Sequence, residues 1–318
     1  MSSSLPQRIH LANLPTPLQQ ITFRNSKFLI KRDDLTGVET TGNKIRKLEY
    51  ILADALRKKA NLLYTCGGDQ SNHARATLYA GRSVGLDTKL FLWGEDISLP
   101  EGNLFLDKIL KPKIVYLTEA EYHNVHEIMN ESETKEKNKK VYLVPEGGSS
   151  PHGILGYANC VSELYQDLPK RVKGILTAAG SGGTTAGLVI GSKLFGIPLK
   201  VFAVNVLTSK SLIENRVMSV IEKTIAKFNL DISVSHRDFE VIDGYSKEGY
   251  KNITDKKVKV IKEFAQSTGI LLDPAYTGKA FCAFNDYFLS PKKTADIIFL
   301  HTGGLFGVFS KREQYLRV

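Results

Sequence analysis

Short β-branched and aromatic runs alternate with helical patterns along almost all of this 318-residue chain, and that alternation narrows the fold more than any other feature. "NLLYTC" (61–66) reads as strand, "NHARATLYAGRSVG" (72–85) as helix and "TKLFLWG" (88–94) as strand. "EGNLFLDKIL" (101–110) is helical, "KIVYL" (113–117) a strand, "EYHNVHEIMNESETKEKNKK" (121–140) a polar helix and "VYLVP" (141–145) a strand. The second half keeps the rhythm. "PHGILGYANCVSELYQDL" (151–168) and "TTAGLVIGSKLFG" (184–196) read as helices around the strand "GILTAA" (174–179). The strand "LKVFAVNV" (199–206), helices near 211–228 and 254–268, and the strand "DIIFLHTGG" (296–304) complete it. Strands separated by helices imply βαβ units, hence an α/β fold with mainly parallel sheets flanked by helices. Such sheets bind ligands beyond the carboxyl ends of their strands. The loops after Cys66, Ala179 and Leu300 are therefore where chemistry is expected.

The first loop, "CGGDQSNHAR" (66–75), pairs two turn-forming glycines with Ser71 or Asn72 as a helix N-cap. Gln70, Ser71, Asn72 and His73 gather hydrogen-bonding side chains at a helix start, where free N–H groups favour an anion such as a carboxylate. The second, "AAGSGGTTAG" (178–187), joins a strand to a helix and resembles a phosphate cradle, with Ser181, Thr184 and Thr185 adding hydroxyls. Gly180 and Gly182 match the first two glycines of a dinucleotide fingerprint. However, Thr185 stands where the third is needed and Lys200 where the ribose-binding acid belongs. No lysine follows these glycines as in a nucleotide phosphate loop, so a phosphate monoester fits better. The third loop, "FLHTGGLFG" (299–307), lets backbone approach a ligand after His301 and Thr302, and taken alone is weak evidence.

"TGNKIRKLEY" (41–50) opens a helix with Lys44 at its start, and Lys47 falls one turn inside. The positive end of a helix and burial both disfavour an ammonium, so Lys44 is placed to lose its proton, as covalent bonding to a carbonyl cofactor requires. With a monophosphate cradle elsewhere in the chain, the candidate cofactor is pyridoxal 5'-phosphate. The three cysteines, Cys66, Cys160 and Cys282, are dispersed and odd in number, which reads as packing rather than disulfide or metal spacing. The formal charge of +10 comes from scattered basic residues, which suits steering of small anions better than nucleic-acid binding. No apolar run reaches membrane-spanning length, and the first twenty residues lack the apolar stretch of a signal peptide. A cytoplasmic protein that binds no metal is expected.

The ordered string "KRDDLTG…TGNKIRKLEY…GGDQSNHAR…GSGGTTAG…LLDPAYTGKA…HTGG" resembles the 1-aminocyclopropane-1-carboxylate deaminase/D-cysteine desulfhydrase family over roughly residues 10 to 310. The resemblance implies pyridoxal-phosphate enzymes of fold type II, the tryptophan synthase β-like fold. It implies a discontinuous large domain (1–46 and 156–318), a smaller inserted α/β domain (47–155) and a homodimer. By the same resemblance, Lys44 carries the cofactor and Asn72 bonds its ring oxygen. Gly180, Ser181, Gly182, Gly183 and Thr184 hold its phosphate. Ser71 sits near the substrate carboxylate with Gln70 and Asn72, and Tyr250 and Tyr276 line the substrate pocket. The family's deaminases carry a glutamate directly after the second tyrosine and a leucine before the last glycine pair; this chain has Thr277 and Thr302 there. Its desulfhydrases carry small hydroxyl residues at both places, with a hydroxyl at the pyridine nitrogen. The implied reaction is α,β-elimination of D-cysteine to pyruvate, hydrogen sulfide and ammonia. Deamination of 1-aminocyclopropane-1-carboxylate to 2-oxobutanoate, and β-elimination from another small D-amino acid, are the alternatives.

Overall fold

The computed structural model describes residues 5–165, 167–289 and 296–318. Residues 1–4, 166 and 290–295, which fall in the expected large domain, lie outside the described residues. Among the described residues ten strands form two sheets. In the first half these are β1 (Leu18–Phe23), β2 (Ser26–Arg32), β3 (Leu62–Gly68), β4 (Asp87–Trp93), β5 (Lys113–Leu117) and β6 (Val141–Leu143). In the second they are β7 (Gly174–Ala179), β8 (Lys200–Asn205), β9 (Phe239–Ile242) and β10 (Ile297–His301). The six-stranded sheet has the order β1-β2-β10-β7-β8-β9, parallel except for the β1–β2 pair, and the four-stranded sheet, β5-β4-β3-β6, is parallel throughout. All seven residues of β3 and all of β7 are buried, as central parallel strands covered on both faces must be.

The connecting helices are α1 (Asn43–Arg57), α2 (Asn72–Ser83), α3 (Gly102–Ile109), α4 (Glu119–Tyr122), α5 (Val125–Thr134) and α6 (Pro151–Leu164). They continue as α7 (Gly183–Leu194), α8 (Lys210–Phe228), α9 (Asp255–Thr268), α10 (Thr277–Phe288), α11 (Phe306–Phe309) and α12 (Arg312–Arg317). Among the described residues no helix is long and apolar enough to cross a membrane. The polar helix expected over 121–140 is instead two short ones. Thr118 and Glu121 form a capping box that starts α4, and Asn124 leaves helical geometry before α5 begins. The β1–β2 hairpin turns on Arg24 and Asn25, both with positive φ (47° and 63°), and its strands alternate too weakly to stand out in the sequence.

The expected domain limits at 46/47 and 155/156 fall inside α1 and α6, which run unbroken through them. These two helices pack on each other at close range: a Cβ on Gly156 would sit 2.2 Å from the Arg46 carbonyl oxygen. Their contact is locked by buried charge. Arg46 is fully buried and donates from Nε and Nη2 to both oxygens of buried Asp33, each at 2.8 Å. It also reaches both oxygens of Glu163 on α6 at 2.6 and 2.9 Å, and Lys31 of β2 joins Glu163 at 3.1 Å. Tyr157 (2.6 Å) and Thr16 (2.7 Å) complete the shell of Asp33. Burial alone would raise the Asp33 carboxyl, but Arg46 and these donors hold it below the usual carboxylate range.

Removing one partner from such a network leaves the other charge buried and unpaired. Asp33→Ala is expected to cost about 3–5 kcal/mol of stability in urea unfolding, and a loss under about 1 kcal/mol would contradict this account of the α1–α6 junction.

Candidate active site

A cavity of about 640 Å³ opens between the two sheets at the carboxyl ends of β3, β7 and β10. Lys44, Ser71, Asn72, Gly180, Ser181, Gly182, Thr184, Tyr250, Tyr276 and Thr302 all line it. Their positions have local causes. Ser71 caps α2, its Oγ accepting the Ala74 N–H at 3.1 Å, while Asn72 is the first helical residue and its Oδ1 accepts from Asn103 at 3.0 Å. Gly42 caps α1 at φ +104°, and a Cβ there would lie 2.7 Å from the Thr302 carbonyl oxygen. Only glycine lets the two loops touch so closely, and the Asn43 N–H donates to that same carbonyl at 3.0 Å. The loop carrying Thr302 is thereby fixed one residue from Lys44.

Lys44 Nζ donates to Asn43 Oδ1 at 2.8 Å and lies 5.7 Å from the centre of the Tyr276 ring. It keeps some exposure, toward the cavity. Burial lowers its pKa to about 8, partly opposed by the negative charge of Asp273 and aided by Arg75. Tyr250 and Tyr276 meet edge to face at 5.8 Å. The Tyr250 hydroxyl donates to the Gln70 carbonyl at 3.1 Å; that of Tyr276 lies beside it and donates to no carboxylate or carbonyl among the described residues. Desolvation pushes both phenols above their ordinary value.

At the other end, Gly182 caps α7 in the left-handed region (φ +82°) and no side chain closes the helix start. Ser181 Oγ and Ser149 Oγ are 2.8 Å apart, and Thr184 Oγ1 accepts from Asn43 at 3.1 Å. Gly183 is buried beneath this cradle rather than facing the cavity, and a Cβ on it would lie 2.9 Å from Lys47 Nζ. Lys47 joins the site without any sequence motif that marks it. It is 1% exposed, lines the cavity, donates to the Gly147 carbonyl at 3.0 Å and pairs with no carboxylate among the described residues. Burial and the neighbouring Lys44 hold it well below the ordinary lysine value. Its spacing of three from Lys44 places both on one helix face, which is the signal that could have found it. Uncapped helix N–H groups, hydroxyls and an unpaired buried cation together suit a phosphate.

Two expected contacts are corrected. The Gln70 side chain turns away from the main cavity, donating to the Glu101 carbonyl and accepting the Asn103 N–H, both at 3.0 Å; it lines a smaller cavity of about 220 Å³ instead. Thr277 is fully buried outside the main cavity, because its hydroxyl donates to Asp273 Oδ1 at 2.6 Å and accepts from the Asp273 N–H at 2.9 Å.

The pyridoxal-phosphate dependent enzyme family matches residues 9–303. The chain belongs to that family. The cradle and the depressed lysine suit a pyridoxal-phosphate enzyme, and the chain has relatives along nearly its whole length. A Thermotoga maritima protein provisionally named 1-aminocyclopropane-1-carboxylate deaminase is 41% identical, covering 96% of this chain and 99% of its own length. The Arabidopsis thaliana bifunctional D-cysteine desulfhydrase/1-aminocyclopropane-1-carboxylate deaminase, a mitochondrial protein, is 34% identical over 96% of this chain and 80% of its own. The crystal structure of an ACC deaminase homologue superposes with a TM-score of 0.86 at 34% identity, covering 98% and 95% of the two chains. The fold is thus that of the fold type II pyridoxal-phosphate enzymes.

Two outcomes follow from the buried lysines. In cofactor-free protein, labelling of Lys44 by an amine reagent, read by peptide mass, should be half-maximal near pH 8, whereas exposed lysines require a pH about two units higher. Lys47→Met should weaken retention of pyridoxal phosphate roughly tenfold or more in equilibrium dialysis; unchanged retention would separate Lys47 from the phosphate cradle.

Proposed function

We propose that this pyridoxal-phosphate enzyme eliminates hydrogen sulfide from D-cysteine, and that water hydrolyses the released aminoacrylate to pyruvate and ammonia. The observation that carries the reading is the pair of hydroxyls in the cavity around Lys44. Thr302, 6% exposed, opens into the cavity where the family's deaminases have leucine, and the Tyr276 hydroxyl lies beside that of Tyr250 and donates to no carbonyl or carboxylate among the described residues. When bound, pyridoxal phosphate draws electron density away from the substrate's α-carbon.

The remaining work falls to the chain. Ser181, Gly182 and Thr184 with the start of α7 and Lys47 would hold the phosphate, Asn72 would hold the ring oxygen, and the Thr302 hydroxyl would serve the pyridine nitrogen. Ser71 and the start of α2 hold the substrate carboxylate. Lys44, uncharged over much of the range above its depressed pKa of about 8, takes the α-proton at Nζ. The Tyr276 hydroxyl gives its proton to the departing sulfur, since Tyr250 has already committed its own to Gln70. A thiol leaves readily, so a neutral hydroxyl at the pyridine nitrogen suffices where ring opening of a cyclopropane would call for a carboxylate. The same reading includes a cytoplasmic homodimer.

The second reading is 1-aminocyclopropane-1-carboxylate deamination, favoured by the names of the Thermotoga and Arabidopsis relatives. β-Elimination from another small D-amino acid uses the same groups. Purified enzyme offered D-cysteine, L-cysteine and 1-aminocyclopropane-1-carboxylate in parallel is expected to release sulfide from the first. Silence with D-cysteine and 2-oxobutanoate from the third would replace the proposal by the second reading. Thr302→Leu should lower D-cysteine turnover roughly tenfold, the value of one lost hydrogen bond.

A further inference from the structure

One buried ionisable group beside the site has no part in the steps above: the carboxylate of Asp273, 1% exposed at the start of the "DPAYTGKA" segment. Its Oδ2 accepts the N–H groups of Ala275 (3.0 Å) and Tyr276 (2.9 Å), and its Oδ1 accepts the Thr277 N–H and hydroxyl (both 2.6 Å). Its carbonyl accepts the Gly278 N–H at 2.8 Å. The backbone N–H groups from Ala275 to Gly278 therefore converge on one residue, and Tyr276 leaves the backbone from the middle of that set. Asp273 also packs on the loop after β10: a Cβ on Gly304 would meet its Cβ and Cγ at 2.7 Å. One side chain thus touches both segments that frame Lys44, the one bearing Tyr276 and the one bearing Thr302.

Burial pushes the Asp273 carboxyl above its ordinary value, and the hydrogen bonds from Thr277, Tyr276 and Ala275 oppose that push and favour the anion. Lys44, Lys279 and His301 feel its field as cations, and Tyr250, Tyr276 and Tyr315 as phenols. Lys44 in turn faces Asp273 and Glu146 as anions, Arg75, Lys47 and His73 as cations or bases, and the Tyr276 ring. A base that takes up a proton in a dry site needs a negative charge nearby to stabilise the ammonium it becomes.

We propose that Asp273 is the positioning residue of this site, fixing Tyr276 and the Thr302 loop around Lys44 and supplying the counter-charge for the lysine when it holds a proton. The assignment rests on Lys44 acting as the base, as argued under the proposed function. Asp273→Asn keeps the shape and removes the charge. Thr277→Val keeps the charge and removes two of the hydrogen bonds that hold the turn.

The test is Lys44 labelling against pH in both variants without cofactor, together with kcat and KM of the holoenzymes. In Asp273→Asn the Lys44 midpoint should fall by about half a unit or more, and kcat roughly tenfold with KM little changed. In Thr277→Val the midpoint should stay at the wild-type value while kcat still falls. A folded Asp273→Asn with an unmoved midpoint overturns the counter-charge. Wild-type kcat in Thr277→Val overturns the positioning, and that arm decides the matter if Asp273→Asn fails to fold. Should the wild-type enzyme turn over none of the substrates, the proposed function fails while the labelling arm still judges Asp273.

Discussion

Three cations lie in one turn of α1, and the structure depends on how each is neutralised. Arg46 is buried and paired, bonded to Asp33 and Glu163, and it fastens α1 between β2, the turn at Asp33 and α6. Lys44 and Lys47 point the other way, into the cavity, and neither pairs with a carboxylate among the described residues. Burying an unpaired ammonium is costly, so each releases its proton more easily than a surface lysine or waits for an anion. The paired cation provides rigidity and the unpaired ones provide reactivity. A helix held loosely could not keep Lys44 within reach of both Tyr276 and the Thr302 loop.

The α/β class and the strand-end loops follow from the sequence because buried parallel strands such as "GILTAA" are continuous apolar runs between helical patterns. The cavity residues of the three loops meet because β7 and β10 are neighbours that present their carboxyl ends along one edge, while β3 presents its own from the other sheet. Other features were hidden by physics that spacing does not express. Lys47 reads as an ordinary helix-interior lysine until Gly183 and the cradle are brought against it. Gln70 sits in the right loop, but its side chain is claimed by α3, an element thirty residues on. Thr277 follows a site tyrosine in sequence and still faces inward, because Asp273 draws its hydroxyl away from the cavity. The domain limits, implied by the family resemblance, fall within α1 and α6, the two helices through which the chain passes between the sheets.

The Asp273–Thr277 pair also bears on substrate choice. A glutamate at 277 would have to displace hydrogen bonds from Asp273 before it reached the cavity. In this chain the negative charge stays one turn back, buried and engaged by four donors, and the cavity receives the Thr302 hydroxyl instead. Under the proposed function, that arrangement would offer the cofactor ring a weaker electron-withdrawing partner than a carboxylate, which suits departure of a thiol.

The central claim is that Lys44, of the three lysines among the described residues whose burial depresses their proton affinity, is the one that bonds the cofactor. Borohydride reduction of the purified holoenzyme, followed by peptide mass spectrometry, tests it directly. The account predicts one phosphopyridoxyl group, on the peptide containing Lys44. A label on Lys47 or Lys279 in its place would contradict it.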